Sequence, residues 1–132
     1  MSESLASRIH AANAVLLAGG NLEAIPDFFT QGHVTHLTEQ DMDGGHKAIR
    51  GFVSALRSAF PDLQVEVQIL VEGTDRVAWQ RICRGTHKGK FMGMPPSGRR
   101  LVWRDMITSR FEGNLIAEEW GISDLLDRMV HK

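Results

Sequence analysis

The hydrophobic period of this chain changes once, and the change falls at Pro61. Upstream, apolar residues recur every three or four positions. Leu5, Ile9, Ala12, Val15 and Leu16 form one helical stripe, with Ser2 or Ser4 placed to cap it and Gly19-Gly20 to stop it. Asn21 opens a second helical stretch through Leu22, Ile25 and Phe28, which Pro26 is expected to shorten or break because it lies too deep for the first turn. His33 to Leu37 reads as a brief strand, and Asp41 to Gly45 as a polar, glycine-rich loop. Ala48, Ile49, Phe52, Val53, Leu56 and Phe60 make an amphipathic helix that the proline ends.

Downstream the period is two. Leu63, Val65, Val67, Ile69 and Val71 alternate with Gln64, Glu66, Gln68 and Leu70, a strand with one wet face. Gly73-Thr74-Asp75 turns the chain into a strand from Val77 to Thr86. Further strands run from Leu101 to Phe111 and, after the turn Glu112-Gly113-Asn114, from Leu115 to Trp120. Leu125, Leu126 and Met129 close the chain with a helical turn or two. Helices followed by a meander imply an α+β domain spanning residues 1–132. Its expected form is a cone-shaped, curved antiparallel sheet with three helices from the N-terminal half on its concave face.

The 132 residues suffice for one core, at 42% hydrophobic and 23% charged. A formal net charge of -1 with scattered Lys and Arg argues against nucleic acid or an anionic membrane as partner. Cys83 is the single cysteine, so no internal disulfide forms, and its mid-strand position suits a core thiol. Met1 to His10 shows no signal pattern and no apolar run reaches the length of a membrane span, so a cytoplasmic protein is expected. There is no tyrosine, which leaves acid–base chemistry to His, Asp, Glu, Lys or Cys83.

Residues 85–99 separate two strands with a run whose glycines and prolines forbid a regular hairpin: Gly85-Thr86-His87-Lys88-Gly89-Lys90-Phe91-Met92-Gly93-Met94-Pro95-Pro96-Ser97-Gly98-Arg99. So apolar a connection is costly to expose. It reads as the rim of a small-molecule cavity, with a loop that covers the end of the core as the alternative. Asp105 interrupts the apolar strand face of Leu101, Trp103, Ile107 and Phe111. It therefore lines a wet cavity, or it is neutralised by Arg81 or Arg104, or a bulge shifts the register. Asp124, after the last strand, is either a helix cap or a cavity residue. His33 and His36 lie at an odd offset on one strand and so face opposite sides, which argues against a paired metal site. No metal is expected, since no ligand spacing on a helix face and no cysteine cluster is present. There is no phosphate-binding glycine fingerprint and no Gly-x-Ser-x-Gly elbow.

The run from Gly85 to Arg99 resembles the Gly-Thr-His-x-Gly-x-Phe-x-Gly-x-Pro-Pro-Thr-Gly-Arg loop of the SnoaL-like polyketide cyclase family, within the nuclear-transport-factor-two-like superfamily. Ala59-Phe60-Pro61-Asp62-Leu63 is similar to its helix-to-strand junction. Asn114-Leu115-Ile116-Ala117-Glu118-Glu119-Trp120-Gly121-Ile122-Ser123-Asp124 is similar to its closing Gly-x-Ile-x-Glu-x-Trp-x-x-x-Asp. The likeness spans roughly residues 5 to 127. It implies cofactor-free ring closure by intramolecular aldol condensation, with an Asp as general acid–base. Asp124 matches that Asp, and His36 matches a pocket histidine at the end of the first strand. The strand departs from the family's Asp-Phe-Val-x-His, reading Gly32-His33-Val34-Thr35-His36, and Arg110 stands where a second pocket histidine falls.

Two functions follow. One is an enzyme that abstracts a proton beside a carbonyl and cyclises or isomerises a small apolar carbonyl compound, without cofactor, through Asp124 and His36. The substrate pocket is then expected to be lined by Trp103, Asp105, Trp120, His87, Phe91 and Met94. The other is a module of the same fold that binds an apolar ligand without turnover. A homodimer through the outer sheet face is expected too, because Val102 and Met106 face away from the predicted cone.

Overall fold

A computed structural model describes residues 4–38 and 41–131. Helix α1 (Leu5–Ala12) is capped by Ser4, whose side chain accepts from the Ser7 N–H; Ser2 lies outside the described residues. The helix continues as a π-helical segment, Asn13–Ala18, and ends at Gly19. A 3-10 turn over Leu22–Ala24 leads into α2 (Ile25–Phe28). Pro26 sits in the first turn of α2, where its missing N–H is not needed, rather than too deep in a longer helix. Helix α3 (Gly45–Ala59) stops at Phe60, whose backbone leaves the helical region, which a following proline disfavours. Helix α4 (Leu125–Val130) closes the chain.

The strands are β1 (Phe29–His36), β2 (Asp41–Met42), β3 (Gln64–Glu72), β4 (Arg76–Thr86), β5 (Arg100–Glu112) and β6 (Leu115–Ser123). They form one curved sheet in the order β2-β1-β6-β5-β4-β3. The sheet is mixed, not wholly antiparallel, because β1 runs parallel to β6. Helix α3 carries the chain from β1 to β3 at the far edge, and the meander back brings β6 beside β1 pointing the same way. The predicted loop at Asp41 to Gly45 also differs. Asp41 and Met42 pair with His36 and Thr35, and Gly45 already begins α3. A Cβ on Gly45, at φ +61, would meet the Gln31 carbonyl oxygen at 2.3 Å, so this junction requires glycine.

Alternation along β5 assigns the two faces. Leu101, Trp103, Asp105, Ser109 and Phe111 are buried toward the helices, whereas Arg100, Val102, Arg104 and Met106 are exposed. The main core joins Leu16, Leu17, Phe28, Val53, Leu56, Phe60, Leu101 and Trp103 with Leu125 and Met129 of α4. A second cluster packs Ile9 on Val77, Trp79, Phe111 and Ile116. Fully burying a Leu or Phe side chain contributes roughly 1.5–3 kcal/mol, so these contacts fix the helices on the concave face and leave the other face bare.

Candidate functional site

The concave face holds charge inside the apolar core. The Nε of Arg81 donates to Asp105 Oδ2 at 2.8 Å, and its Nη1 donates to the Asn13 amide oxygen, also at 2.8 Å. The pair retains 14% and 10% side-chain exposure. Burial works most strongly against the charge on Arg81, and the Asp105 carboxylate together with Cys83 and Glu119 outweighs it, so the guanidinium is held above its ordinary range. Arg81 is thus the partner that neutralises Asp105, one of the two candidates in the sequence. The π-helical segment begins at Asn13, whose own amide N–H donates to the Ile9 carbonyl oxygen. Such segments recur at functional sites.

Beside this pair lies a second polar set. Trp79 Nε1 donates to the Ser109 hydroxyl at 2.9 Å, and that hydroxyl donates to Glu119 Oε2 at 2.6 Å. His33 Nε2 meets Glu119 Oε1 at 3.2 Å and carries the proton there, because a carboxylate only accepts. Glu119 is close enough for its charge to bear on Arg81. Ser109 and Glu119 are site residues that the sequence patterns above do not mark. The signal was Glu118-Glu119: on a strand, adjacent carboxylates face opposite sides, so one must enter the core.

His36 lies on the outer face, opposite His33 as its offset predicts. Its Nε2 donates to Glu118 Oε2 at 2.6 Å and its Nδ1 to Asp41 Oδ1 at 2.8 Å. Two carboxylate acceptors favour the imidazolium. Glu118 first and Asp41 second raise the His36 pKa, while His36 and then Arg110 lower that of Glu118. Arg110 is likewise raised, chiefly by Glu118 at 3.0 Å. The imidazole stacks on Trp120 at 5.3 Å. Both rings line an open groove of about 490 Å³ with Leu37, Leu70, Met106 and Ile122.

The structure does not bring Asp124 and His36 together. Asp124 Oδ1 accepts from the Arg104 backbone N–H at 2.7 Å, Oδ2 accepts from Arg128 Nε at 3.3 Å, and the side chain is 40% exposed. It heads α4 but makes no side-chain cap, so it extends the β5 ladder past the end of β6. Trp103 is buried against Phe60 on the concave side, whereas Trp120 is on the outer face. At the rim, Phe91 is buried, Met94 packs on the core and Met92 is 67% exposed. This apolar anchoring matches the loop that covers the end of the core. Lys88 and Gly89 N–H groups bind the Ala59 carbonyl, and a Cβ on Gly89 would lie 2.7 Å from the Ser58 oxygen. His87 is buried and stacked on Phe60. Its Nδ1 is 3.3 Å from the Ser97 hydroxyl, and its Nε2 has no hydrogen-bond partner among the described residues. Burial pushes the Cys83 thiol up to about 12, which makes it a poor nucleophile. Among the described residues, no group of three or more His, Cys, Asp or Glu side chains is arranged to hold a metal ion, and no helix is long and apolar enough to cross a membrane.

A curved mixed sheet covered on one face by helices, with ionisable side chains on that face, makes this an α+β domain. The chain belongs to the SnoaL-like polyketide cyclase family, whose model matches residues 7–130. IdmH from Streptomyces antibioticus, a provisionally assigned polyketide cyclase, superposes with a TM-score of 0.79 at 28% identity, covering 97% of this chain and 96% of that one. AclR from Streptomyces galilaeus, a provisionally assigned hydroxylase, gives 0.71 at 30% identity, covering 91% and 76%. TsrD from Streptomyces laurentii gives 0.82 over 98% of each chain, and at 19% identity it shows the fold alone. No curated protein sequence matches the chain.

Proposed function

We propose that this chain is a cofactor-independent acid–base catalyst that takes a proton from the carbon beside a carbonyl of a small apolar compound. The enolate then closes a ring by intramolecular aldol condensation, or is reprotonated elsewhere to give an isomer. The observation that carries this reading is the concave-face cluster of Arg81, Asp105, Glu119 and His33. Ionisable groups are expensive to bury and are not needed to hold an apolar core together. In this reading Asp124 exchanges protons at the α4 end of the sheet, as the family likeness implies; the likeness also gives His36 a pocket role, but His36 lies on the outer face, away from the concave-face cluster. The Trp103, Asp105, His87, Phe91 and Met94 side supports the ligand, and Trp120 backs His36. Family membership supports the reaction class without deciding the substrate, since the similar structures carry both cyclase and hydroxylase assignments.

A second reading, a binding module without turnover, is favoured by the engagement of Asp124 with Arg104 and Arg128. Proton exchange separates the two. Wild-type protein is incubated with aryl ketones and β-keto esters in deuterium oxide, and loss of the α-proton signal is followed by NMR. The catalytic reading expects exchange above buffer, and a fall of about 10²–10⁴-fold in Asp124→Asn with the fold intact. Asn keeps a side-chain oxygen that can accept from the Arg104 N–H, so folding is spared. Ligand binding with no exchange by wild-type protein establishes the module instead. We also propose that the bare outer face pairs with a second copy of the chain. Met106 and Ile122 are 42% and 61% exposed there.

A further inference from the structure

Three features of Arg81 are unexplained by packing. A buried ion pair contributes no more stability than well-packed apolar residues of the same volume, so the fold alone does not call for one. The guanidinium is held from two sides, by Asp105 through Nε and by Asn13 through Nη1, and Asn13 is itself fixed by its bond to Ile9 at the start of the π-helical segment. Its Nη2 arm takes no partner among the described residues, although Glu119 lies near enough to act on its charge. Arg81 is therefore a rigid, oriented donor fork with one arm unused. Its 14% exposure, with 10% for Asp105 and 13% for Glu119, shows that the cluster still touches accessible space.

We propose that the Nη2 arm of Arg81 binds the carbonyl oxygen of the ligand. Asp105 and Asn13 are the positioning residues, and neutral ketones or esters are preferred over free carboxylic acids. This rests on the reaction class above for its catalytic part. In that part a base removes the α-proton, the electron pair of the C–H bond moves into the enolate, and the negative charge collects on the oxygen that Arg81 holds. In ring closure the enolate carbon then attacks a second carbonyl carbon, the first carbonyl re-forms, and the π pair of the second moves onto its own oxygen. That second oxygen, now an alkoxide, takes the proton from the protonated base, so none is gained or lost. A preoriented donor aimed at a developing oxyanion stabilises the transition state more than the ground state. The preference for neutral ligands follows from charge. Two carboxylates, Asp105 and Glu119, already flank the one guanidinium, and a third would have to be buried beside them. The Trp79 ring, 5.3 Å from the guanidinium carbon, further fixes the fork.

The test uses methyl 2-naphthoate, 2-naphthoic acid and β-tetralone as probes. Binding is measured by titration calorimetry and α-proton exchange of β-tetralone by NMR. Wild-type protein is expected to bind the ester at least tenfold more tightly than the acid. Arg81→Lys, which keeps the charge and loses the fork, is expected to lose about tenfold or more in ester affinity and about 10²–10³-fold in kcat for exchange, with KM moved less. The double variant Arg81→Met/Asp105→Leu replaces the pair by apolar side chains and so keeps the fold. It is expected to lose the preference for ester over acid. Failure of wild-type protein to bind the ester, or a folded double variant that retains both preference and exchange, overturns the proposal. Arg81-dependent ester binding without exchange by wild-type protein upholds the ligand contact and sinks the catalytic reading on its own.

Discussion

Removing the Arg81 side chain strands a carboxylate in the core, and the cost can be worked from the pair's geometry. Nε and Oδ2 are 2.8 Å apart, and the side chains are 14% and 10% exposed, so solvent screens them little. Unit charges about 4 Å apart at an effective dielectric constant of about 20 attract by about 4 kcal/mol. Breaking a buried pair from one side costs about 3–5 kcal/mol, because the remaining charge loses its compensation. Arg81→Met leaves Asp105 in that state. For 132 residues the unfolding entropy is about 0.28 kcal/mol/K, at about 2.1 cal/mol/K per residue. The expected fall in Tm is therefore about 11–18 °C. Arg81→Met/Asp105→Leu removes both charges and is expected to melt within about 4 °C of the wild type. Calorimetric melts of the wild type, both single variants and the double variant complete the cycle. A fall below about 3 °C for Arg81→Met would show that the pair is solvated. A double variant that loses as much as the singles combined would show that packing, not charge, dominates. Either result refutes the argument.

The outer face and the His36 cluster give two more expectations. Wild-type protein should sediment as a dimer at micromolar concentration, and Met106→Glu, which charges the middle of the apolar face, should sediment as a monomer; a monomeric wild type would be enough to discard the pairing. The pH dependence of Tm should carry the mark of His36. Its folded pKa is raised above 6.5 by Glu118 and then Asp41, so its contribution is complete below about pH 6.5 and is lost as pH rises through the folded value. Glu118, lowered from 4.5 by His36 and then Arg110, contributes fully above that value and loses its share as pH falls through its folded pKa. His36→Gln should therefore flatten the alkaline side of the wild-type profile, and an unchanged alkaline slope would count against the cluster.

How much of this molecule the sequence disclosed depends on whether a residue's placement is local. The period change at Pro61 is local, and it separates helices from meander where the structure does. The direction of β1 is not. It depends on the length of the crossover through α3, which no alternation within Gly32 to His36 records, so the parallel pairing with β6 was out of reach. Which face of a strand enters the core is intermediate. Asp105 shares a parity with Leu101 and Trp103, so both its burial and Arg81 as its partner were readable. His33 and His36 are both histidines at an odd spacing, so the pattern tells that they face apart but not which one enters. The registers of Thr35 with Glu119 and of His36 with Trp120 settle it, turning His33 toward Glu119 and His36 toward the outer groove. Asp124 is the limiting case. It follows the last residue of β6, where alternation has stopped, and its carboxylate replaces a strand partner for the Arg104 N–H. A residue at a strand exit has no face to inherit from periodicity. That is why the motif alone pointed Asp124 inward, and why its substitution, rather than its position in the pattern, decides what it does.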